Sequence, residues 1–182
     1  RLSAVTSDNF LGGQKVARFL LKGGHKRIGY IAGWEGASTQ RDREKGFTEE
    51  LVRNGQELYA REVGNFNSDE ARQAARTMFS KQNFPDAVFV ANDAMAIAVI
   101  DVIRFELGLQ VPEQVSVVGY DDVPISSWPA YDLTTVRQPA NRMVAETVSI
   151  LIESIENKTT KARRIEIDGP LMIRGSAKIS DK

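Results

Sequence analysis

Ala87-Val88-Phe89-Val90-Ala91-Asn92-Asp93 runs apolar as far as Ala91, stops on two polar residues, and passes straight into Ala94-Met95-Ala96-Ile97-Ala98-Val99-Ile100. The apolar run suits a strand covered on both faces, and the abrupt stop suits a turn into a helix. Asp93 can cap that helix, because its carboxylate accepts from the free N–H groups of the first turn. Asn92 then stands at the carboxyl end of a parallel strand, where open α/β sheets bind ligands. The device recurs in Val115-Ser116-Val117-Val118-Gly119-Tyr120-Asp121-Asp122, a second apolar run ending in carboxylates.

Outward from these strands the pattern alternates strand and helix, which predicts an α/β fold with a parallel sheet flanked by helices. Upstream, Leu2 to Val5 reads as a strand end, and Asp8 or Asn9 as the cap of a helix closed by Gly23-Gly24. Ile28–Ala32 is a strand, followed by a helix from about Gln40 to Asn54. Arg61-Glu62-Val63 is a weak strand, and Ser68 caps a helix bearing Ala71, Ala74, Ala75, Met78 and Phe79 on one face. Downstream come a short strand at Thr134–Val136 and a helix opened by Pro139, with Val144, Val148, Leu151, Ile152 and Ile155 on one side. Asn157-Lys158-Thr159-Thr160 closes that helix, two late strands follow, and the polar tail frays. The helix after Asp93 is apolar around most of its circumference, more than one sheet buries.

Lys and Arg number 24 against 24 Asp and Glu, so the formal net charge is zero over 182 residues. A domain that grips nucleic acid by its own surface is usually basic. There is no cysteine and one histidine, so neither thiol chemistry nor a histidine metal site is available. His25 reads as a turn residue before a strand. No apolar run approaches a membrane span. The chain begins at Arg1 without a methionine, as if cut from something longer.

Arg43 shares a helical face with Phe47 and Leu51, at i, i+4 and i+8. Its guanidinium either points inward at the cleft end of the sheet or pairs at the surface with Glu44 or Asp42. Asp121 and Asp122 are either a cap and an exposed neighbour, or acceptors for ligand hydroxyls. A polyol, donor and acceptor at each hydroxyl, needs carboxylates, amides and a forked guanidinium around it. Phe66, in Gly64-Asn65-Phe66-Asn67, either stacks on a sugar or base face or packs under its loop. A hydrolase using Asp121 and Asp122 would lack an accompanying nucleophile, metal set or cofactor motif.

Five motifs stand in order: Gly24-His25-Lys26-Arg27-Ile28-Gly29-Tyr30-Ile31-Ala32-Gly33, Arg43-Glu44-Lys45-Gly46-Phe47, Ala91-Asn92-Asp93-Ala94-Met95-Ala96, Val117-Val118-Gly119-Tyr120-Asp121-Asp122 and Leu133-Thr134-Thr135-Val136-Arg137-Gln138-Pro139. As a set they resemble the effector-binding core of the LacI/GalR family of bacterial transcription regulators, from about Val5 to Ser176. The resemblance implies a two-lobed, periplasmic-binding-protein-like fold, of which this chain carries mostly the second lobe. Residues 1–7 would end the first lobe, 8–137 form the second, 138–163 make a helical excursion into the first, and 164–182 return. It implies ligand contacts at Arg43, Asn92, Asp121, Phe66 and Thr39, with Gln138 at a crossing between lobes. Ala140 stands where some members carry an aromatic. It further implies no catalysis and no cofactor, and a cytoplasmic protein that senses a small molecule, a sugar first and a purine or sugar phosphate otherwise. Operator DNA would be reached only through an N-terminal head absent from this chain. A homodimer would form through Ala94–Leu107 and Pro124–Tyr131. The rival within the same fold is a transporter's periplasmic sugar-binding protein.

Overall fold

A computed structural model describes residues 2–156 and 162–179. Its strands are β1 (Ala4–Ser7), β2 (Ile28–Ala32), β3 (Ala60–Val63), β4 (Ala87–Val90), β5 (Ser116–Asp121), β6 (Thr134–Arg137), β7 (Arg164–Ile167) and β8 (Leu171–Met172). Its α-helices are α1 (Asn9–Lys22), α2 (Ser38–Arg53), α3 (Ser68–Phe79), α4 (Asp93–Asp101) and α5 (Ala140–Glu156). The expected closure of α5 at Asn157–Thr160 lies outside the described residues.

Six strands form the main sheet in the order β3-β2-β4-β5-β6-β8, parallel except for β8, which runs antiparallel to β6 at the edge. The chain winds from β2 out to β3 and back across to β4. The point where the winding reverses therefore lies between β2 and β4, and that is where open α/β sheets form a crevice. Every residue of β2 and β4 is buried, which is why their sequences read as apolar runs rather than alternations.

Alternate residues of the strands face the two helical layers. Tyr30, Phe89 and Phe47 of α2 pack together, with ring centroids 5.0–5.7 Å apart. On the other face Met78 of α3 lies over Gly29, and Met95 of α4 over Gly64. α1 and α2 approach closely at two glycines. A Cβ on Gly13 would stand 2.1 Å from the Arg43 carbonyl, and one on Gly46 would stand 2.0 Å from that of Phe10. Glycine is needed here for close backbone approach, not for its dihedral freedom.

Sequence expectation and structure part at several places. Asp93 does not cap α4: the Asn92 side chain accepts from Met95 N at 3.0 Å, while Asp93 turns into the core. Likewise Asn67, not Ser68, caps α3. In each case two adjacent residues could cap, and the one with extended backbone does so. The helix after Asp93 is buried by its own chain, between the sheet and α3, before ending in a π-helical turn at Val102–Glu106. The expected fraying of the last residues falls on 180–182, outside the described residues, while the segment before them is pinned. Ser176 is buried and donates to Val117 O, and Lys178 N donates to Ser116 Oγ.

β1 and β7 form a separate two-stranded parallel sheet. α5 packs on β1 through Ile150, its one buried residue. Val144, Val148, Leu151, Ile152 and Ile155 stay exposed, because two strands are too narrow to cover them. The chain passes between the two sheets three times, at residues 7–9, 137–140 and 167–171. The passages are tied together: Asp8 N donates to Ile167 O at 2.9 Å and Arg137 N to Pro170 O at 2.9 Å.

Candidate functional site

At the carboxyl ends of the strands, facing the small sheet, lies a cleft of about 260 Å³. It is lined by Thr39, Arg43, Phe66, Asn92, Asp121 and Gln138, together with Val5, Thr6, Ser7, Asn9 and Met143. All six residues singled out in the sequence therefore meet in one place. Thr6, Ser7 and Met143 carry no signal in the sequence, and Asn9 is marked there only as a possible helix cap. They reach the wall because the chain passages bring β1 and the start of α5 over the strand ends, which no local pattern records.

Arg43 takes the inward of its two readings. It is 4 % exposed. The guanidinium lies over the Tyr120 ring, 3.4 Å from the centroid. One terminal nitrogen donates to Ala91 O and the other to Asn9 Oδ1 at 2.7 Å. Nε is buried with no partner among the described residues. The fork is thus fixed in direction while N–H groups remain for a ligand. Arg41, two residues earlier, is exposed and braces the loop before α2.

Asn92 spends its oxygen on capping α4, and its amide nitrogen has no partner among the described residues. It therefore offers the cleft a donor. Asp121 offers the acceptor. Its Oδ1 receives Gln138 Nε2 at 2.6 Å, and Gln138 Oε1 in turn receives Ser7 Oγ at 3.1 Å. Burial pushes the Asp121 carboxyl above the usual range, while the Gln138 hydrogen bond and the Arg43 charge draw it back. Phe66 sits at φ +58 with its ring against Gly33, where a Cβ would stand 2.2 Å away.

The backbone at Asp121 and Asp122 is strained, with φ +123 and +58. Such conformations cost about 1–3 kcal/mol each in a non-glycine residue. Asp122 is not the exposed neighbour expected of a pair. Its carboxylate is gripped by Arg137 at 2.5 Å and Arg174 at 2.6 Å, which holds the corner and aims Asp121. Beneath the site, Asp93 accepts from Thr135 Oγ1 at 2.6 Å, Ser126 Oγ at 2.7 Å and Val123 N at 3.0 Å. Burial pushes its carboxyl up to about 6, against the pull of those three donors.

One guanidinium and one carboxylate face the cleft, with amides, hydroxyls and a ring. Among the described residues no group of three or more His, Cys, Asp or Glu could hold a metal ion. His25 lies elsewhere, buried beside Asp86 at 3.3 Å, where burial lowers its pKa.

A doubly wound parallel sheet flanked by helices, with a cleft at its switch point facing a second, smaller sheet across three chain passages, is the architecture of periplasmic-binding-protein-like domains. Residues 17–177 match the family described as periplasmic binding protein-like domain, and the chain belongs to that family. The relatives are LacI-type transcription regulators. The HTH-type transcriptional repressor PurR of Photobacterium profundum is 32 % identical over 169 residues, 92 % of this chain and 50 % of that protein. A transcriptional regulator CelR–cellobiose complex superposes with TM-score 0.89 at 34 % identity, over 96 % of this chain and 54 % of that one. A lac repressor dimer bound to operator and the anti-inducer ONPF superposes with TM-score 0.87 at 28 % identity, over 94 % of this chain and 52 % of that one. The chain spans about half the length of the curated relatives it matches. Among the described residues no helix is long and apolar enough to cross a membrane.

Proposed function

We propose that this chain is the effector-sensing part of a LacI-type regulator, and that its cleft takes a neutral, hydroxyl-rich small molecule, a sugar. The observation that carries the reading is the convergence of Arg43, Asn92 and Asp121 on one cleft. Donors from Arg43 and Asn92 stand across from the Asp121 acceptor, which matches hydroxyls that give and receive at once. The single positive and single negative group balance, so an uncharged ligand leaves no buried charge unpaired. Phe66 supplies a flat apolar wall.

In this reading residues 1–7 and 138–163 belong to a first lobe together with β7, and residues 8–137 with β8 form the second. The ligand acts by preferring one closure of the lobes, since only differential affinity shifts a population. Operator DNA is contacted by a separate head in the cytoplasm, which accords with the zero net charge here. In this reading the role of the cleft is to bind its ligand, as its relatives are transcriptional regulators.

The same regulator pairs with a second copy through the outer edge of α4, the π-helical turn and the 124–131 loop. Phe105 is 81 % and Trp128 56 % exposed on that side. Aromatic residues are enriched in interface cores.

A thermal-shift screen of the full gene product against sugars and nucleobases tests the reading. Ligand at 100 times its dissociation constant adds about 2.7 kcal/mol of stability. A sugar should raise the melting temperature of the native protein clearly more than that of Asp121→Ala at the same concentration. Stabilisation by nucleobases alone would overturn the sugar assignment, and no ligand response from either set would overturn the sensing role.

A further inference from the structure

Trp34 is left over by the site just described. It is 60 % exposed, although tryptophan is buried on average. It sits in the loop between β2 and α2, at the same end of the sheet as Phe66, Asn92 and Asp121. The loop is held firmly. Ala37 N donates to Trp34 O at 3.0 Å, Arg41 donates to Gly36 O at 3.1 Å, and Glu35 pairs with Arg61 at 2.6 Å.

The indole lies against Gly36, where a Cβ would stand 2.4 Å from Cζ2. One side of the ring is therefore seated on backbone and the other is open to solvent. Phe66 is seated in the same way on Gly33, the residue just before Trp34. Two rings, each resting on a glycine, thus stand on neighbouring loops at one end of the sheet: Phe66 lines the cleft, and Trp34 follows directly on the glycine that seats it, outside the cleft lining. The same loop carries the exposed Glu35, paired with Arg61, and is braced by Arg41, so charged groups that bond hydroxyls belong to it. The cleft itself, about 260 Å³, is smaller than the roughly 300–1,000 Å³ of pockets for drug-sized ligands. A ligand longer than one sugar ring has to extend beyond this cleft, and the loop between β2 and α2 stands at the same end of the sheet.

We propose that Trp34 is the stacking platform for a second sugar unit, and that the effector is a di- or oligosaccharide whose first ring occupies the cleft. The inference rests on the sugar reading of the cleft and extends it to chain length. Trp34 is a specificity-determining residue: it discriminates two units from one, while Arg43, Asn92 and Asp121 hold the first.

The chain has two tryptophans, so Trp128→Phe leaves Trp34 as the sole indole of this chain, and subtracting the emission of Trp128→Phe with Trp34→Phe isolates its signal in the full gene product. The full gene product is titrated with cellobiose, maltose and lactose, and with glucose and galactose, following indole emission. In parallel, calorimetry compares native protein with Trp34→Ala in the native background, which keeps the test independent of the Trp128 variant. The expected result is a disaccharide that binds more tightly than its component monosaccharides and changes Trp34 emission. Trp34→Ala should weaken that disaccharide roughly tenfold, the scale of one well-placed aromatic contact. It should leave the monosaccharide within about twofold, a difference too small for a lost contact of that scale. Equal disaccharide affinity in Trp34→Ala, or a monosaccharide that binds as tightly as any disaccharide, overturns the second subsite and leaves the sugar reading standing. Binding of no sugar at all overturns both.

Discussion

Gln138 Nε2 donates to Asp121 Oδ1 at 2.6 Å, joining the end of β5 to the chain passage that leads into α5. The bond occupies one carboxylate oxygen and leaves the other for the cleft. It also means that whatever pulls on Asp121 pulls on the link between the two sheets.

Asp121→Ala should therefore weaken effector binding in the full gene product by about 1.5–3 kcal/mol, the scale of a hydrogen bond to a charged group. Calorimetry against the sugar found by the screen measures it. Because burial holds the Asp121 carboxyl above its ordinary range, the affinity should begin to decline at a higher pH than an ordinary aspartate would give, as protonation removes the acceptor. An affinity indifferent to the substitution would remove Asp121 from the site.

Asp93 predicts an acid-side gain in stability. Its carboxyl sits at about 6 in the folded chain, against an ordinary 3.8. An acid with a raised folded value takes up its proton in the folded state first. Its stability contribution therefore rises as pH falls from about 6 toward about 3.8. Relative to Asp93→Asn, which does not titrate, the native protein should gain about 2 kcal/mol between about pH 7 and about pH 4.5. Urea unfolding of both proteins at the two pH values gives the difference. A pH-independent difference would mean that the three donors cancel the cost of burial.

Gly13→Ala should couple stability to binding. The new methyl meets the Arg43 carbonyl, which is backbone and cannot rotate away. Forcing extra volume into a packed contact costs about 1–3 kcal/mol. The relief available is a shift of α2, which carries Arg43 off Tyr120. Both the melting temperature and the effector affinity should fall. Lost stability with native affinity would show that the helices part elsewhere along their length.

Phe105→Glu tests the pairing surface. The side chain is exposed within its own chain, so the substitution should leave the melting profile of the fold nearly unchanged. Sedimentation of the full gene product at micromolar concentration should shift from dimer to monomer. A dimer that survives the charge would place the contact on another face.

Much of this site is legible in the sequence because its key residues sit where periodicity is informative. Phe47 and Leu51 on the same helical face aim Arg43, and the ends of apolar runs aim Asn92 and Asp121. Periodicity does not decide between neighbours. Asn92 and Asp93 both make good caps, and only the backbone angles, fixed by the way β4 enters the helix, select one. The strain at Asp121 and Asp122 is equally hidden. It is held by Arg137 and Arg174, and Arg174 reaches Asp122 only because β8 returns beside β6. The stripe on α5 is apolar in sequence and in structure, but its partner does not lie within the described chain, so periodicity promises a burial that two strands do not provide.

The pairing of β6 with β8 has an engineering consequence. Val136 faces Leu171 and Thr135 faces Met172 in antiparallel register, and Arg137 N meets Pro170 O. The chain therefore leaves the main sheet and re-enters it at adjoining points, so the segment between them, which carries α5 and β7, is an insertion into what is otherwise a hairpin. Excising that insertion and splicing the strands with an Asn-Gly turn, which suits the twist of a two-residue hairpin, would yield a minimal single-sheet scaffold. Such a miniature would keep Arg43, Asn92, Phe66 and Asp121 on one open face, ready for grafting to a different second half.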